Sequence, residues 1–238
     1  LTYAHLSHSG YGISADNLAG DGLFIENSVI AASGGGIRLD DSNGRAIVLR
    51  NSVFDVSNSD WAIYLDKGTY SDSPATEIVG NTITNTLGSG IYLYRNGGGF
   101  NVASNIVRSY NTAIYVNYQM GVMRFVDNEL SSLRDWEGVG LHVTDWWGDS
   151  GEKDLLIEGN RVEGFSDGIS VTTPQALVSR VAGNELIDNY RGLRLSGVQG
   201  TEFTGNVITG NFEGIRLDDS VPSSMDSNVI AGNSQAGI

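Results

Sequence analysis

A unit of about 25 residues recurs along this chain, and no other feature limits its possible folds as strongly. A small residue followed by Ile or Leu stands at Gly12-Ile13, Gly36-Ile37, Ala62-Ile63, Gly90-Ile91 and Ala113-Ile114. The series continues at Gly140-Leu141, Gly168-Ile169, Gly192-Leu193, Gly214-Ile215 and Gly237-Ile238, with steps of 22 to 28 residues. Upstream of nine of these pairs stands an Asn, one spacer residue and an aliphatic: Asn27, Asn51, Asn81, Asn105, Asn128, Asn160, Asn184, Asn206 and Asn228. Repeats of this length mark solenoids and propellers, in which each unit buries its apolar side against the next.

Each unit reads as three short strands. Segments such as Leu23-Phe24-Ile25 and Leu155-Leu156-Ile157 form the first, Asn-x-aliphatic the second, and Gly-Ile-x-Leu the third. The apolar period is two, and no 3.6-residue period persists long enough for a helix. Stacked Asn side chains carry both a donor and an acceptor, so they suit a hydrogen-bonded column at a tight turn.

These repeats resemble the right-handed parallel β-helix of the pectin-lyase-like superfamily, over nearly the whole chain. The resemblance implies an all-β solenoid of about nine to ten coils, one domain over 1–238, and carbohydrate ligands. A leucine-rich repeat has a similar period, but its key positions are Leu rather than Gly-Ile and Asn-x-Val. The first unit begins inside a strand and the last stops at Gly237-Ile238, so the chain reads as an excerpt of a longer solenoid without its native caps.

Composition narrows the partners. The 238 residues carry 14 Lys and Arg against 28 Asp and Glu, a formal charge of −14, which argues against a nucleic-acid backbone as ligand. Cys is absent, removing disulfides and thiolate chemistry, and no apolar run approaches a membrane span. The expected location is extracellular or in the cell envelope.

The heptapeptide Gly36 to Ser42, GIRLDDS, is repeated at Gly214 to Ser220. Its paired carboxylates suit acid–base work or calcium, but two copies seven units apart favour ordinary turn chemistry. The Asn-Thr-Asp, Gly-His-Gly and Arg-x-Lys motifs of β-helix galacturonan hydrolases are absent, as is the Asp-Pro-His-Asp signature of β-helix uronate epimerases.

Aligning the units shows more. With the aliphatics of Gly-Ile-x-Leu pointing inward, x points outward, and this column reads Ser14, Arg38, Tyr64, Tyr92, Tyr115, His142, Ser170, Arg194, Arg216. The next outward column includes Asp66, Tyr94 and Asn117. Three rungs of about 4.8 Å separate Tyr64 from His142, room for a few sugar units. Long connections carrying Trp61, Trp136, Asp145 and Trp146 are expected to wall this stripe. Polysaccharide binding or processing is therefore expected at Trp61, Tyr64, Asp66, Tyr92, Tyr94, Asn117, Trp136, Asp145 and Trp146. For a lyase, His142 or Tyr115 is the candidate base and Arg95 or Lys67 the partner of a uronate carboxylate. For a hydrolase, Asp66, Asp145 and Glu137 are the available acids. No cofactor is required, although the acidic positions Asp145, Asp149 and Asp154 suit calcium. The alternative is a non-catalytic structural or adhesive rod that associates end to end or laterally.

Overall fold

The computed structural model describes residues 1–8, 10–18, 20–42, 45–68, 74–95, 98–117, 121–144, 154–172 and 178–238. Among these residues the chain forms 28 short strands and no helix, arranged in three parallel sheets around one interior. The first face runs from Gly22–Glu26 to Ser224–Asp226, the second from His5–His8 to Val229–Ala231, and the third from Tyr11–Asp16 to Glu213–Asp218. The chain visits the faces in that order, so each strand pairs with the equivalent strand one coil on. The described residues make eight complete three-strand coils, from 22–40 to 202–218, flanked by partial coils at each end. This is slightly fewer than the nine to ten expected, because the outermost units lack a strand on one face.

Alternation fills the interior. Ile25, Ile30, Ile37 and Leu39 are fully buried from the three faces of a single coil, and later coils repeat the pattern with Ile, Val, Leu and Phe. Burying each such side chain stabilises by about 1.5–3 kcal/mol relative to exposure. A lone coil could not close this surface, so neighbouring coils are obligatory.

The corner between the first and second faces holds the Asn column. The Nδ2 of Asn81 donates to Oδ1 of Asn105 at 3.0 Å, and the relay continues through Asn128, Asn160, Asn184 and Asn206 to Asn228. Each Nδ2 also donates to a backbone carbonyl, as Asn105 does to Ile78 at 2.8 Å. Asn27 and Asn51 depart from the expected column. Their places are taken by Ser28 and Ser52, with Ser28 N–H donating to Ser52 Oγ and Ser52 N–H to Asn81 Oδ1. Asn27 and Asn51 stand one residue earlier at φ near +50°, where later coils put Gly80 or Gly159. Asn tolerates that left-handed conformation, so it produces the same motif one step out of register.

The glycine of Gly-Ile also differs from a turn glycine, because it lies within the third-face strand. A Cβ on Gly90 would sit 2.5 Å from the Ala113 carbonyl oxygen, so crowding by the next coil demands a small residue. Both GIRLDDS copies make the same corner. Arg38 pairs with Asp40 and Arg216 with Asp218, while Asp41 and Asp219 adopt positive φ.

Candidate functional site

The third face puts the predicted outward column in exact register: Arg38 beside Tyr64, then Tyr92, Tyr115, His142, Ser170 and Arg194. Their inward neighbours, such as Ile63, Leu65, Ile91 and Leu93, are buried, which fixes the four rings on the outside. Tyr92 and Tyr115 stack with centroids 5.0 Å apart and planes within 9°, and His142 follows at 5.0 Å with a 43° tilt. Tyr64 lies 5.2 Å from Tyr92 on the preceding rung, with the Arg38 guanidinium 5.3 Å from its ring centroid.

Trp61 completes the arrangement. Its ring is 4.5 Å from Tyr92 and 6.0 Å from Tyr115, nearly parallel to both. Rings on opposite sides of Tyr92 would be separated by about 7 Å, twice the van der Waals contact distance. Trp61 and Tyr115 therefore lie side by side on one face of Tyr92. Together they offer a wider flat surface than a single ring, with Tyr92 as the layer behind. Burial pushes the Tyr92 phenol up to about 12, opposed by a hydrogen bond with Asn117. His142 is held below its ordinary value, first by burial and then by the Arg194 charge, so it is neutral at pH 7.

A groove of about 440 Å³ opens where the second face turns into the third, lined by Trp61, Tyr115 and His142. Its remaining wall comes from that corner: Asp60, Leu87 to Ser89, Asn111 and Thr112. Those corner residues escaped the reading of the outward columns. The position just ahead of each Gly-Ile pair was the signal available for them.

Other expected members lie elsewhere. Asp66, only 4% exposed, accepts from Arg95 Nε at 3.0 Å, and Arg95 also sits 5.0 Å from the Tyr94 ring centroid. Arg95 thus turns one rung back from Tyr94, whereas His142 is two rungs forward, so the two do not converge as a lyase pair would. Tyr94 stacks on Tyr92 at 5.9 Å. Lys67 is 1% exposed and donates to the Pro74 carbonyl, with burial lowering it to about 8. Glu137 is held by Arg134 at 3.1 Å. Trp136 does not wall the stripe: its backbone turns at φ 61° and its ring meets Tyr190 at 6.1 Å, beyond His142 along the axis. Asp145, Trp146 and Asp149 lie outside the described residues, and of Asp154 only the backbone is described. His5 and His8 belong to the first strand, far from this groove. Among the described residues, no group of three or more His, Cys, Asp or Glu side chains is placed to hold a metal ion.

Fold and face together define a right-handed parallel β-helix with an aromatic groove along one corner. Residues 2–150 match the family model described as the right handed beta helix region, and the chain belongs to that family. Residues 143–238 are similar to NosD, described as a periplasmic copper-binding protein. No curated protein matched the chain. No helix among the described residues is long and apolar enough to cross a membrane.

Proposed function

We propose that this β-helix binds a polysaccharide in the Trp61–Tyr115–His142 groove, in an extracellular or periplasmic setting. The observation that carries the reading is the pair of nearly parallel rings, Trp61 and Tyr115, lining an open groove, with an imidazole and small polar side chains on its walls. Flat apolar rings with polar tips suit sugar faces and their hydroxyls. Binding rather than cleavage is the better supported activity. The groove's titratable side chains are Asp60, Tyr115 and His142, and the cations expected to neutralise a uronate are engaged elsewhere, Arg95 with Asp66 and Lys67 with Pro74.

The NosD likeness raises copper as a ligand, but the matched segment does not fit it. Residues 143–238 contain neither His nor Cys, and Met225 is their single sulfur donor, whereas copper favours imidazole, thiolate and thioether ligands. The location is supported by the same likeness.

A glycan array followed by titration of the best ligand tests the reading. Trp61→Ala and Tyr115→Ala are expected to weaken binding at least tenfold each while the fold persists. Binding that survives both substitutions would remove this groove as the site. A chain that bound no glycan at all would instead fit the structural or adhesive rod.

A further inference from the structure

A second groove, of about 620 Å³, lies on the same corner further along the axis, where Trp136 was displaced from the stripe. Trp136 is 56% exposed on its wall, and Gly164 and Gly210 leave bare backbone beside it. Both glycines have positive φ, and a Cβ on Gly210 would meet the Asp188 carboxylate oxygen at 2.3 Å. Behind Trp136 the rings continue: Tyr190 meets it at 6.1 Å and stacks on Phe212 at 4.8 Å. The charged lining is entirely acidic, comprising Asp135, Glu163 and Asp188. Arg161 compensates Glu163 at 2.6 Å, while neighbouring Arg134 and Arg191 are paired with Glu137 and Asp167. Asp60 adds a carboxylate to the first groove, where His142 is neutral.

Both grooves border the second-to-third corner, and from Asp60 to Asp188 is five rungs, about 24 Å. We propose that they are two subsites of one track, taking a linear amine-bearing polysaccharide that runs parallel to the solenoid axis. The proposal rests on the glycan reading above and adds length, direction and charge to it. A polymer of hexosamine units with free amines would place its rings against Trp61 and Trp136 and its ammonium groups toward Asp60, Asp135 and Asp188. A uronate polymer would set carboxylate against carboxylate at each of these positions.

Calorimetric titration, with a chelator present, would compare a glucosamine hexasaccharide, its N-acetylated counterpart and an oligogalacturonate of equal length. The free-amine oligomer should bind at least tenfold more tightly than the N-acetylated one, with a preference that shrinks in salt. Asp135→Asn combined with Asp188→Asn should cut that preference by at least half on the logarithmic scale, with Asp60 keeping the remainder, while N-acetylated binding changes less than twofold. Asn suits the left-handed backbone at 188, so the turn is kept. Trp136→Ala should weaken the hexasaccharide and leave a disaccharide unaffected. Equal affinity for the amine and N-acetyl forms, or tighter binding of oligogalacturonate, would overturn the charge assignment while leaving the first groove intact. Hexasaccharide affinity unmoved by Trp136→Ala would overturn the shared track. Failure of all three oligomers beside binding of another glycan on the array would overturn this proposal and leave the glycan reading standing.

Discussion

A stack of amides and a stack of rings climb this solenoid with the same rise, and of these two the rings form the candidate site. The amides from Asn81 to Asn228 are sealed in a corner, each bonded to the next and to a carbonyl. The rings from Tyr64 to His142 stand half-exposed on an outer face and meet through dispersion. A buried polar group must have partners wherever the chain goes, so the amide column is constrained by stability alone. Partly buried rings carry no such requirement, and the proposed glycan site gives their company along four successive rungs a use.

Cutting the amide column should have the largest effect. Asn105→Ala leaves the backbone N–H and Nδ2 of Asn81 without their acceptor and frees the Ile78 carbonyl, which should cost about 3 kcal/mol in urea unfolding. Glycan affinity should not change. Trp61→Ala is the mirror experiment, with about 1.4 kcal/mol, or tenfold, lost from glycan affinity and the unfolding midpoint nearly unmoved. Equal effects of the two substitutions on both measurements would erase the distinction between the stacks.

Extending the amide column should help modestly. Ser52→Asn places a second amide below Asn81 Oδ1 and should add about 0.5–1 kcal/mol to unfolding stability. The smallest expected effect belongs to His142. Its folded-state pKa lies below the unfolded value of about 6.5, so its contribution is complete above that pH and declines as pH falls through the window beneath it. His142→Gln should flatten that part of the stability profile between pH 7 and 5.

The repeat made the coils, the three faces and the outward column legible, because a strand's two-residue alternation leaves little freedom once the interior is apolar. The Asn column was legible only from Asn81 onward. At Asn27 and Asn51 the need for positive φ selects the same residue type one place early, so the pattern matches while the role changes. Alternation placed Asp66 outward correctly but could not show its engagement with Arg95 across one rung. Trp136 escaped because its own backbone is left-handed, and a residue outside the period of two gives no clue to its direction. The Asp60 and Thr112 wall was missed for a related reason: corner residues are placed by turn geometry, and only their place ahead of the small-aliphatic pair marks them.

The amide column also gives the rod a chemical arrow. From Asn81 to Asn206 every Nδ2 donates to the Asn oxygen of the next coil, so these side-chain amides all point one way. A further coil could prolong that relay on the Asn228 side by presenting an Asn oxygen, whereas on the other side Ser52 N–H already occupies Asn81 Oδ1. A coil laid down in reverse would set donor against donor, leaving about 1–3 kcal/mol of unmet hydrogen bonding per group. The column therefore has a direction of growth as well as a length.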